Sequence, residues 1–189
     1  MCIIAVSPFK EVYVRKHAFG TLLILIILAF CQIQIQAQQN FDYFILISFT
    51  DMKLYLYNHN GELVKSYSVA LAQTMPKDLP AEAIVKETCI DPAWFTTPLI
   101  RRTYLRDKKI ELPFVVETGD PRNAMGKGAI TLTYLAEGSI DPLVAIHGTN
   151  DESSIGKRVT SGCVRLHNKD ILALIDIIGG KSTRVMFDR

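Results

Sequence analysis

The sequence predicts a mainly β or α+β domain, built on a mixed or mainly antiparallel sheet with one clear helix near the C-terminus. Short β-prone runs recur between turn-rich stretches of Gly, Pro, Asn and Asp. One segment only, beyond Asn168, sustains an apolar face at helical spacing. Hydrophobic residues make up 49% and charged residues 21% of the 189, a globular composition with room for one ordinary domain and a short leader.

The leader is residues 1–37. Lys10, Arg15 and Lys16 precede an uninterrupted apolar run from Ala18 to Cys31, the arrangement of a secretory signal peptide. Gln32, Gln34 and Gln36 follow the run at once, leaving it short of the ~20 apolar residues that a membrane-spanning helix wants. Cleavage after Ala37 is expected, and an uncleaved membrane anchor is the alternative because Ile35 is large for its place before the cut. Phe30, just before Cys31, is too bulky for a lipidation signal. Removing the leader's three basic and one acidic residues leaves 18 of each sign from Gln38 to Arg189. A balanced charge argues for no nucleic-acid partner.

The domain proper is expected over residues 38–189. Strand-like alternation runs from Phe41, with Leu54 and Leu56 between Lys53, Tyr55 and Tyr57, and again from Leu63 to Leu71. Asn60-Gly61 between these runs tolerates positive φ and predicts a β-hairpin. Gln73 to Pro80 holds two prolines and reads as a loop, Ala83 to Thr88 as a strand, and Asp91 to Pro98 as an irregular stretch around Trp94. Arg101 to Lys109 carries five basic side chains and reads as a solvated hairpin or loop. Leu112 to Glu117 and Ala129 to Leu135 favour strands, separated by turn residues from Gly119 to Asn123. Asp141-Pro142 turns the chain into a short strand, Leu143 to Ile146. The helix places Ile171, Leu172, Leu174, Ile175 and Ile178 on a broad apolar face, with Asn168 as cap and Gly179-Gly180 as terminator. Thr183 to Phe187 closes the domain as a strand.

Chemistry concentrates in Ile146-His147-Gly148-Thr149-Asn150 and Thr160-Ser161-Gly162-Cys163-Val164-Arg165-Leu166. A cysteine nucleophile needs a base to generate its thiolate and main-chain N–H groups to hold an oxyanion. His147, at a strand end before a glycine, suits the base. Gly162 lets the backbone approach a substrate carbonyl. Arg165 falls two residues after Cys163, on the same side in an extended chain, where it can lower the thiol pKa or grip a carboxylate. Taken singly, a cysteine or a histidine here reads as a core residue; their combination is specific. Four histidines in the whole chain argue against a zinc cluster. Of the cysteines beyond the leader, Cys89 lacks such neighbours and reads as a buried free thiol, with a Cys89–Cys163 disulfide as the alternative.

The order His-Gly-Thr, a gap, then Ser-Gly-Cys-Val-Arg-Leu-x-Asn-x-Asp resembles the signature of the L,D-transpeptidases, the YkuD-type catalytic domain. The resemblance extends upstream through Gly119 to Gly128, at Asn123 and Gly126, and through Trp94 after Pro92. Ser161 stands where many members have a second histidine, leaving Cys163 one obvious base; Ala124 and Met125 replace proline and leucine, and Ala81 replaces a glycine. The resemblance implies a sandwich-like mixed sheet. It implies Cys163 as nucleophile, His147 as base oriented by the Gly148 carbonyl, and an oxyanion hole at Gly162 and Cys163. Arg165, Ser161, Thr149 and Asn123 are the candidate substrate-binding residues. The implied reaction opens the diaminopimelate–D-alanine bond of peptidoglycan stem tetrapeptides through a thioester and passes the acyl group to an amine. No metal or organic cofactor is implied. The partners are stem peptides, with no nucleic acid and a membrane only through an uncleaved anchor, and the place is the periplasm or cell envelope. A cysteine hydrolase of the L,D-carboxypeptidase type and an inactive wall-binding module are the alternatives.

Overall fold

A computed structural model describes residues 41–77, 79–135 and 144–189. The leader, the Asp141-Pro142 turn and the start of the strand at Leu143 lie outside the described residues. Among the described residues an eight-stranded mixed sheet dominates, in the spatial order β11 (Val164–Arg165), β9 (Ile146–His147), β8 (Gly128–Tyr134), β5 (Ala81–Ile90), β12 (Thr183–Asp188), β1 (Tyr43–Ser48), β2 (Lys53–Asn58) and β3 (Leu63–Ser68). Its first strands, β1 (Tyr43–Ser48), β2 (Lys53–Asn58) and β3 (Leu63–Ser68), form an antiparallel meander. The β2–β3 hairpin turns where expected, with Gly61 at φ 79°. β5 (Ala81–Ile90) runs longer than its expected core and lies between β12 (Thr183–Asp188) and β8 (Gly128–Tyr134). β12 pairs parallel to β1, so the end of the domain stitches its beginning into the sheet. Two small ribbons complete the strands: β4 (Leu71–Ala72) beside β10 (Arg158–Thr160), and β6 (Trp94–Phe95) beside β7 (Val115–Val116).

Two helices are present among the described residues, one more than expected. The first, α1 (Pro98–Thr103), replaces the solvated hairpin read into the basic run, and a single π turn, Tyr104–Lys108, continues it. The missed signal was local: the Thr97 hydroxyl accepts from the Ile100 N–H at 3.2 Å, and Pro98 fills the first turn, where its missing N–H costs nothing. Ile100 and Tyr104, four apart, pack on a small core of Trp94, Leu112, Val116 and Ala124. Arg102, Arg106, Lys108 and Lys109 are exposed while half-buried Arg101 donates to Thr96 O, and the segment Asp91 to Pro98, expected to be irregular, contributes β6 to this unit.

The second helix, α2 (Asn168–Ile178), packs on β8 and β5. Ile171, Leu174 and Ile178 are fully buried in the main core with Ile45, Ile47, Leu54, Leu56, Ile130, Ile146, Val185 and Phe187. Burying each such side chain stabilises the fold by roughly 1.5–3 kcal/mol. Gly128 admits the helix to the sheet: a Cβ there would meet Ile175 Cδ1 at 2.8 Å. The expected Asn168 cap is corrected. Asn168 is the first helical residue and His167 the cap position; Glu152, from a 3-10 turn at Glu152–Ser154, accepts the Asn168 N–H at 3.0 Å instead. Gly179 and Gly180 end the helix as expected.

Candidate active site

The site is built on the last strands of one sheet edge. β9 (Ile146–His147) lies between antiparallel β8 and parallel β11 (Val164–Arg165), with His147 opposite Ala129 and Arg165. Three main-chain bonds lock the register: Val164 N–H to Ala145 O at 3.0 Å, Leu166 N–H to His147 O at 2.8 Å, and Gly148 N–H to Gly128 O at 2.9 Å. Cys163 immediately precedes β11 and therefore sits one strand away from the His147 segment. Its turn is held by Thr160, whose hydroxyl donates to Cys163 O at 2.7 Å and accepts the Gly162 N–H at 3.2 Å. Gly162 has φ 154°, in the region that favours glycine, and a Cβ there would crowd Val144 Cγ2 at 3.1 Å.

His147 is buried, and its Nδ1 lies 2.7 Å from Gly148 O. A carbonyl only accepts, so Nδ1 carries the proton and Nε2 keeps its lone pair. Burial lowers the pKa of this imidazole to about 4, with a further push from the Arg165 charge; hydrogen bonds to the Gly148 and Ala124 main chain act the other way. The ring is therefore neutral at pH 7. Arg165 is half-buried and registered with His147, and its Nε is buried without a hydrogen-bond partner.

The remaining predicted residues divide. Ser161 is exposed beside Cys163. Thr149 is buried, its hydroxyl bridging the Asp151 N–H and carbonyl at 3.0 and 3.2 Å. Asn123 is also buried; Nδ2 donates to Pro92 O at 2.8 Å and Oδ1 accepts the Met125 N–H at 2.9 Å. Both side chains hydrogen-bond the protein's own main chain. Asn123 ties the α1 unit to the loop that leads through Ala124 to His147. His167 is paired through Nδ1 with the Glu152 carboxylate, so it does not replace the second histidine missing at Ser161. Cys89 is exposed on β5, correcting the buried reading, and no disulfide joins it to Cys163. Among the described residues no three His, Cys, Asp or Glu side chains cluster as metal ligands, and no helix is long and apolar enough to cross a membrane.

Sequence reasoning missed Thr160 and Glu152 as supports of the site. A polar residue three before Cys163 carries no pattern that separates a clasp from a strand threonine, and Glu152 meets the helix only after the 149–157 loop folds.

The family model of the YkuD L,D-transpeptidase catalytic domain matches residues 42–186. "Probable L,D-transpeptidase ErfK/SrfK" of Escherichia coli is 35% identical over 134 residues, covering 70% of this chain and 40% of that protein. "Probable L,D-transpeptidase YbiS" of the same organism is 36% identical over 145 residues, 76% of this chain and 44% of that one. The chain thus spans less than half the length of these relatives. An L,D-transpeptidase structure from Mycobacterium smegmatis aligns with a TM-score of 0.52 at 14% identity over 79% of this chain and 59% of that one, a likeness of fold. The match over most of the sheet and both site segments settles the kinship: the chain belongs to the YkuD family of L,D-transpeptidase catalytic domains.

Proposed function

We propose that this domain is a peptidoglycan L,D-transpeptidase that uses Cys163 as nucleophile and His147 as base. The observation that carries the reading is the buried, neutral His147, held by Gly148 O through Nδ1 on the strand beside the one that Cys163 opens. With Nδ1–H held by Gly148 O, Nε2 is the nitrogen assigned to take a thiol proton. Cys163 Sγ then attacks the diaminopimelate carbonyl of a stem tetrapeptide. The C–N bond to D-alanine breaks, a thioester forms, and the proton on Nε2 leaves with the D-alanine amine. An acceptor amine next gives a proton to His147 and attacks the thioester, restoring the thiol. The Cys163 and Gly162 N–H groups face the developing oxyanion, and Gly162 must exchange Thr160 Oγ1 for it. The Arg165 guanidinium, with its unpartnered Nε, receives a stem-peptide carboxylate, and Ser161 borders the groove. Residues 1–37 direct export to the periplasm or cell envelope, and residues 38–189 form the catalytic domain.

The test is incubation of the protein with disaccharide tetrapeptide, followed by mass spectrometry. Cross-linked dimers and a Cys163 acyl-enzyme are expected. Cys163→Ala abolishes both, and His147→Gln slows acylation by about 10²–10⁴-fold. Tripeptide without dimer would reassign the domain to hydrolysis. No acyl-enzyme on the wild-type protein would end the enzyme reading in favour of a wall-binding module.

A further inference from the structure

We infer that Asn168 is a positioning residue for His147, acting through the single peptide unit that joins Gly148 to Thr149. This rests on the reading of His147 as the base. The Gly148 carbonyl and the Thr149 N–H belong to one planar trans peptide, so they point in opposite directions and turn together. His147 Nδ1–H binds the carbonyl end at 2.7 Å, and Asn168 Oδ1 accepts the N–H end at 3.1 Å. The same carboxamide donates through Nδ2 to Thr149 O at 2.8 Å, and its Oδ1 also accepts the Lys127 N–H at 2.9 Å. One side chain therefore takes both main-chain groups of Thr149, as a strand partner would. Bonding at the N–H end also polarises the carbonyl that holds the imidazole.

The surroundings are shaped for this contact. A Cβ on Gly126 or on Gly148 would collide with Asn168 Oδ1. Gly126, with φ 66°, would further press on the Thr149 nitrogen. The expected use of Asn168, capping its own helix, is taken over by Glu152, which accepts the Asn168 N–H. Its carboxamide is thereby available to the peptide behind the base.

The test uses the full chain carrying Cys2→Ser, Cys31→Ser and Cys89→Ser, so that alkylation reports Cys163. Imidazole ¹⁵N shifts give the His147 tautomer, iodoacetamide labelling against pH gives thiol reactivity, and thermal melting establishes which variants are folded. The background protein should hold the Nδ1–H tautomer and lose reactivity on His147→Gln. Asn168→Ala is expected to mix the tautomers, lower alkylation at neutral pH by about tenfold and displace the pH profile, a share of what a base supplies. Asn168→Asp keeps the acceptor for Thr149 N–H and should hold the tautomer and recover most of the rate. If Asn168→Ala does not fold, Asn168→Ser is read in its place. A folded variant that melts earlier but keeps the background tautomer and pH profile overturns the inference, leaving Asn168 a structural residue. Reactivity indifferent to His147→Gln would instead overturn the base reading beneath it.

Discussion

His147 shows how one residue's environment selects its chemistry. Burial and the Arg165 charge both disfavour the imidazolium, and the pKa falls to about 4 against the usual 6.5. A base of this kind stays unprotonated well into the acid range. The acid limb of kcat/KM is therefore expected near or below pH 5, not near 6.5, and Arg165→Gln should move it upward by removing a cation; a pH–rate profile on the tetrapeptide checks both. The segments around His147 and Cys163 were legible as a family signature because their spacing is a motif. The main-chain bonds of Asn123 and Thr149 were not legible, since a buried amide or hydroxyl bound to its own main chain leaves no mark on local sequence.

Elements were legible where one local signal dominated. The β2–β3 hairpin follows from alternation around Asn60-Gly61, and α2 from the spacing of Ile171, Leu174 and Ile178. α1 was missed because its basic residues outweighed the Thr97-Pro98 start, and because the partners of Ile100 and Tyr104 come from Trp94 and Leu112. The seating of α2 on β8 depends on the missing side chain of Gly128. Gly128→Ala should push Ile175 and Ile171 outward and destabilise the fold by about 1–3 kcal/mol as overpacking does, read as a lower urea midpoint with an unchanged m-value. Because Gly148 N–H bonds Gly128 O, the same substitution should also slow acylation.

For the whole molecule, the groups with resolved shifts that matter most in acid point one way. His147 is held neutral in the fold and protonates more easily when unfolded, so its contribution is complete above pH 6.5 and is lost as pH falls toward 4. That amounts to roughly 3 kcal/mol. Glu152 is lowered by the Asn168 N–H and His167 against its own desolvation, and Asp120 is lowered to about 2 by Arg122; both favour the fold above ordinary carboxylate pKa values and weaken it below. The urea midpoint should accordingly fall steadily from pH 7 to pH 4. A His147→Gln variant should show a flatter fall over that window, provided it folds.

The sequence by itself determined the β-rich class, the second helix and the family signature that carries His147 and Cys163, because alternation, helical spacing and a short motif are local properties of a chain. The tertiary structure alone decided that the helix joins the sheet through Gly128, that Glu152 rather than Asn168 caps it, and that Asn168 braces the peptide behind His147. Each of these contacts links residues 16 to 47 positions apart, and they come into being only when β9 is laid between β8 and β11.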